Sequence, residues 1–143
     1  MILPNKLDLV IDTNVLLVSI PARSAHHWFY LALLKKQFNA FIITEILSEY
    51  EEVIGERLSP QVASSVIGTL IELGNVQPTT TYYKYQLIQA DPDDDKFVNC
   101  AISANAHYIV THDRHFDVLK TINFPKINIA TLAEIKKLLN FNE

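Results

Sequence analysis

Cysteine and glycine are both scarce: Cys100 stands alone and only three glycines occur in 143 residues. One cysteine forbids an intramolecular disulfide and points to a reducing compartment, so a cytoplasmic location is expected. A catalytic thiol would need a histidine and an orienting partner, and Cys100 reads instead as a small buried helix residue. No uninterrupted apolar run approaches the roughly 18 residues a membrane span requires. The early stretch LDLVIDTNVLLVSIPARSA is broken by Asp8 and Asp12 and lacks a cationic leader, so neither export nor a membrane is expected. Positive charge is also lacking. The formal net charge of −4 gives no global attraction to nucleic acid, and such binding would rest on local cations such as Lys96, Arg114 and Lys120.

What is present suits a packed globule. Hydrophobic residues make up 49% of the chain against 20% charged, and a single domain over residues 1–143 is expected. LDLVI (7–11) has the branched, apolar composition of a strand buried on both faces and ends abruptly in DTN. SAHHWFYLALLKKQF follows at near-helical spacing with Ser24 as its expected N-cap, and AFIIT (40–44) reads as a second buried strand. Across residues 46–58, Ile46, Leu47, Tyr50, Val53 and Ile54 form one helix face. Ser59 as N-cap, Pro60 at the first helical position and Gly74 at the close frame the clearest helix in the sequence. A short strand is expected near 75–77, followed by a mixed connection. AHYIVT (106–111) and INIAT (127–131) complete the strands, with helices starting at the aspartate cluster and at Thr131, whose spacing to Glu134 is that of a capping box. Strands alternating with helices predict a three-layer α/β/α sandwich with a mostly parallel sheet. Ligands of such sheets bind beyond the carboxyl ends of the strands, where both Asp12 and Asp113 fall.

Acidic residues carry the chemistry. ADPDDDKFVNCA holds Asp91, Asp93, Asp94 and Asp95 within five positions. One or two aspartates suit a helix N-terminus. Four repel one another, and if one also approaches Asp12 and Asp113, a hard divalent cation is the economical way to neutralise them. Carboxylate oxygens are the ligands expected of Mg²⁺ or Mn²⁺. On the helix 46–58, Glu49 and Glu51 border the apolar stripe on opposite sides, and spacing alone does not choose between them.

VIDTNVLL, ITEILSEYEEVI, DPDDDKFVNCA and YIVTHDRHF, taken in order over residues 8–117, resemble the four acidic blocks of the PIN-domain nucleases. Within that superfamily the chain is similar to the VapC-type toxins of toxin-antitoxin pairs. The resemblance implies that Asp12, Glu49, Asp95 and Asp113 are the catalytic, metal-holding acids, choosing Glu49 over Glu51, with Asn14 and Thr111 supporting them. Asp12 and Asp95 would be direct ligands and Glu49 and Asp113 would hold a second ion or metal-bound waters, with one-ion and two-ion sites both open. Asp91, Asp93 and Asp94 become secondary. His115 departs from the pattern, standing where these toxins often carry another aspartate, and leaves the part of Asp117 open. His112, between Thr111 and Asp113, also departs from it. The implied activity is metal-dependent cleavage of RNA, and the implied partners are an RNA substrate, a cognate antitoxin and a second copy of the chain in a homodimer or larger assembly.

Two other readings compete. A phosphotransfer enzyme of the haloacid-dehalogenase type would place a second aspartate at position 14, which is Asn14, and a receiver domain would need an acid ending its middle strand, where Thr44 stands. A catalytically silent module that only holds RNA or protein would not need all four acidic positions filled, as they are here.

Overall fold

The computed structural model describes residues 5–81, 86–88 and 92–139. Five strands, β1 (Asp8–Ile11), β2 (Asn39–Ile42), β3 (Val76–Pro78), β4 (Tyr108–Val110) and β5 (Ile129–Ala130), form one sheet in the order β3-β2-β1-β4-β5. Every neighbouring pair is parallel, with Leu9 opposite Ala40 on one side of β1 and Val10 opposite Ile109 on the other. Between them run α1 (Thr13–Ser19), α2 (His27–Leu34), α3 (Thr44–Arg57), α4 (Pro60–Glu72) and α5 (Asp95–Ala104), and α6 (Leu132–Leu138) follows β5. The architecture is the expected three-layer α/β/α arrangement. Parallel strands need long crossovers, and covering helices remove the strand faces from water. Accordingly Leu9, Val10 and Ile11 of β1 and all four residues of β2 are buried.

The order of the strands locates the cleft. From β1 the chain winds outward through β2 to β3, then returns to lay β4 against the free side of β1. The direction of winding reverses between β1 and β4, and a crevice opens at their carboxyl ends. Helix α5 packs on β1, β2 and β4, while α3 contacts α1, α4 and α5.

Polar side chains fasten the connections. Buried Asn75 donates to Leu33 O at 3.0 Å and to Phe38 O at 2.8 Å, tying the end of α2 to the approach to β3. Few glycines are needed because none of the three adopts a positive φ; left-handed backbone falls instead on Asn5, Lys36 and Asn105. Asn105 terminates α5 at φ 52°, and the next amide, Ala106 N–H, reaches back to Ala101 O at 2.9 Å. Asparagine tolerates this conformation better than other side-chain-bearing residues.

Several boundaries differ from the sequence expectation. Ser24 does not cap α2; it accepts from His26 N–H at 3.0 Å, and the cap position is His26. The strand expected over 40–44 runs one residue earlier and stops at Ile42, because Ile43 is already the N-cap of α3. Strands β4 and β5 are shorter than expected. Two elements were not anticipated: α1, which begins directly after Asp12, and a 3-10 segment over Arg114–Thr121. Ser59, Pro60 and the Thr131–Glu134 box are as expected. Residues 82–85 of the mixed connection, and Asp91 of the aspartate cluster, lie outside the described residues.

Candidate metal centre and acidic cleft

Asp12 ends β1 and caps α1 through its backbone. Its N–H donates to Val110 O at 3.0 Å and its carbonyl accepts from Val15 N–H at 3.0 Å, so both neighbouring elements fix the residue. The residue is 6% exposed. Thr111, at the end of β4, donates its hydroxyl to Asp12 Oδ2 at 2.8 Å and accepts Asp113 N–H on the same oxygen at 3.0 Å. One buried hydroxyl therefore ties the Asp12 carboxylate to the backbone of Asp113. Burial raises the Asp12 carboxyl above its ordinary range, the Thr111 bond opposes that rise, and the charges of Asp113 and Glu49 add to it.

Glu49 projects from α3 into the same cleft. Thr13 Oγ donates to Glu49 Oε2, and Lys96 Nζ lies 2.7 Å from Oε1. Glu51, its rival by spacing, is exposed. The residue after Glu49 anchors the pair of elements: buried Tyr50 donates its hydroxyl to Ile11 O at 2.5 Å, immediately before Asp12. Glu49 also borders an open groove of about 570 Å³, lined with Glu45, Ser48, Glu52, Asp93 and Lys96.

The aspartate cluster divides its work. A 3-10 turn over Pro92–Asp94 leads into α5. Asp94 occupies the N-cap position with helical φ and ψ and makes no side-chain cap bond. Its carboxylate faces the other wall instead: Asp94, Asp113 and His115 each offer a ligand atom, and these atoms lie within 4.8 Å of one another. His115 Nδ1 is 3.7 Å from Asp94 Oδ2 and 3.5 Å from Asp113 Oδ1. Asp113 Oδ1 also accepts His115 N–H at 2.9 Å, which fixes the turn that presents the imidazole. Two carboxylates and an imidazole are a donor set suited to a divalent ion, with Mn²⁺ accepting the nitrogen more readily than Mg²⁺.

Asp95, expected as a direct ligand, is 8% exposed and turns Oδ1 to Ile88 N–H at 2.9 Å. It fastens the segment before the cluster, while its neighbour Asp94 faces Asp113. Asn14, expected to support the acids, is exposed on the first turn of α1; the residue that touches Glu49 is Thr13. Asp117 pairs with Lys120 at 3.5 Å, outside the carboxylate group. His112 Nε2 accepts Leu132 N–H at 3.2 Å and so ties α6 to the end of β4. Cys100 is buried and its thiol is pushed up to about 12 by burial, which agrees with a packing residue. Sequence reasoning thus missed Thr13 and the position of Asp94. For Thr13 the signal was its place inside DTN; for Asp94 there was none beyond membership of the cluster.

The chain belongs to the PIN domain family, whose model matches residues 8–115. No curated protein matches the sequence. Among solved structures, the chain is similar to the VapBC2 of Rickettsia felis bound to a DNA fragment from its promoter, with 17% identity over 87% of this chain and 98% of that one and a TM-score of 0.59. DNA-bound VapBC from Salmonella typhimurium has 21% identity, 88% and 98% coverage and a TM-score of 0.57. VapC20 of Mycobacterium tuberculosis, a toxin that cleaves the sarcin-ricin loop, has 12% identity, 76% and 92% coverage and a TM-score of 0.56. At these identities the likeness is one of fold.

Proposed function

We propose that the protein is a divalent-metal-dependent endoribonuclease and the toxin of a toxin-antitoxin pair, acting in the cytoplasm through one catalytic domain spanning residues 1–143. The observation that carries this reading is the convergence of Asp12, Glu49, Asp94, Asp113 and His115 from four separate stretches of chain at the carboxyl ends of β1 and β4. Ordinary surface acids do not gather at a strand-reversal crevice with a buried threonine bridging them. The sarcin-ricin-loop-cleaving relative supports RNA as substrate, and the VapBC relatives support an antitoxin partner. A homodimer or larger assembly completes the proposal by analogy with such toxins.

Asp94, Asp113 and His115 would hold the ion, which is Mg²⁺ or Mn²⁺. When bound, the cation supplies Lewis-acid activation of a scissile phosphate and of water. The protein groups do the rest. Thr111 holds the Asp12 carboxylate and His115 N–H holds that of Asp113, so the negative charge facing the substrate is preorganised rather than assembled during reaction. Thr13 and Lys96 orient Glu49, and Asp95 secures the approach to the cluster through one carboxylate oxygen. Asp12, kept reluctant to ionise by burial, gains most from a neighbouring cation.

The test is cleavage of single-stranded and structured RNA by the purified protein. Cleavage is expected with Mn²⁺ or Mg²⁺ and not with chelator, and Asp113→Asn should lower the rate by about 10²-fold or more, the usual effect of removing one preorganised charge-stabilising group. RNA that binds without being cut, under any metal, would make the protein a silent PIN-fold module and end the nuclease reading.

A further inference from the structure

Lys96 is a basic side chain inside the cleft, and it is held on several sides. Its ammonium lies 2.7 Å from Glu49 Oε1, donates to Asp93 O at 2.7 Å and sits 5.4 Å from the centroid of the Phe97 ring. The side chain is only 17% exposed, unlike that of a solvated surface lysine. Both Glu49 oxygens are engaged as a result: one takes the ammonium and the other takes the Thr13 hydroxyl. The ligand atoms that converge are those of Asp94, Asp113 and His115, on the opposite wall. On the Glu49 side a positive charge is thus already fixed at contact distance, whereas on the other side the ligand atoms of Asp94, Asp113 and His115 face one another, with Arg114 and Lys120 lining the pocket beside Asp113.

We propose that Lys96 takes the place of a second metal ion: the cleft binds a single divalent cation on the Asp94–Asp113–His115 side, while the ammonium neutralises and positions Glu49 on the other. This rests on the metal-dependent reading above and deepens it by fixing the number of ions. A divalent cation at Glu49 would have to displace a charge-assisted hydrogen bond and approach a like charge at contact distance, where the repulsion is least screened. The desolvation of the ammonium is met on folding rather than on binding an ion, and its three donors match the two acceptors found plus one directed to solvent or substrate. Lys96 is thus a positioning residue whose sign of charge sets the ion count.

Manganese binding measured by equilibrium dialysis, with electron paramagnetic resonance of the bound ions, separates the possibilities without recourse to activity. Wild-type protein should bind one Mn²⁺ per chain and give the spectrum of an isolated ion. Lys96→Met, of similar length and no charge, should bind two and show spin coupling, whereas Lys96→Arg, which keeps the charge, should remain at one. Adding Glu49→Gln to Lys96→Met should return the count to one, because the second ion depends on the freed carboxylate. Circular dichroism melts establish that each variant is folded, and the arginine variant carries the comparison should the methionine variant fail to fold: two ions in Lys96→Arg would overturn the proposal. So would two ions in wild type, or one in folded Lys96→Met, and either result would leave the nuclease reading standing. No Mn²⁺ bound to wild type, together with no RNA cleavage, would remove the nuclease reading itself.

Discussion

Asp12 concentrates the conflict between folding and chemistry. Its carboxyl is nearly enclosed and shares a cleft with Asp113 and Glu49, so its native pKa lies above the ordinary 3.8. Between those two values the unfolded chain releases the proton more readily than the folded one. Stability without metal is therefore favoured below the ordinary value and is lost as pH rises through the raised native value. Asp12→Asn removes the charge and keeps an oxygen able to accept from Thr111. In chelator, urea melts should show the variant more stable than wild type at neutral pH and the advantage shrinking toward acid pH, while RNA cleavage is abolished. A variant less stable than wild type at neutral pH would refute the electrostatic account. Asp12 and Asp113 were legible in the sequence because each follows a strand end, where position along the chain determines position in space, while Thr111 came from the resemblance to PIN-domain nucleases. The sequence did not single out Asp94 among the four aspartates: at the junction of a 3-10 turn and a helix, backbone geometry decides which carboxylates approach Asp113.

At the scale of elements, local polar signals translated directly into structure. Ser59 accepts Val62 N–H at 3.1 Å ahead of Pro60. In the capping box of α6, Thr131 Oγ accepts Glu134 N–H at 3.3 Å and Glu134 Oε1 accepts Thr131 N–H at 2.9 Å. Thr131→Ala should cost about 1 kcal/mol, read as a lower denaturation midpoint. The Thr131 backbone N–H, then its hydroxyl, holds the Glu134 carboxyl below its ordinary 4.5. This limb of the cap is fully present above that value and is lost as pH falls through the lowered native pKa, and exposure keeps it modest. Glu134→Ala should accordingly differ from wild type at neutral pH and converge with it in acid. Elements without such signals were not legible. Helix α1 has no separate capping side chain, because Asp12 ends the strand and starts the helix with its backbone alone. The segment Arg114–Thr121 buries Phe116 and Leu119 three residues apart, a repeat of 3-10 structure rather than of the 3.6-residue period sought in sequence.

For the molecule as a whole, the parallel sheet places the acidic cleft at the reversal of winding, and strand alternation alone anticipated that location. The same arrangement links metal to global stability. Acids held together against their mutual repulsion should destabilise the chelated protein, so saturation with Mn²⁺ should raise the melting temperature; at a hundredfold excess over Kd the gain would be about 2.7 kcal/mol. Asp113→Asn should lose most of that gain in differential scanning fluorimetry, and an equal shift in wild type and variant would show the ion bound elsewhere.

The bond from Thr111 to Asp12 spans 99 positions of sequence, and the amide of Asp12 relies on the carbonyl of Val110 across the same gap. A copy still being synthesised therefore carries its first acid long before the groups that hold it, and the acidic cleft closes only after Thr111 has been made. Any fragment that ends before Val110 would keep Asp12 in its sequence and lack the groups that fix it in space.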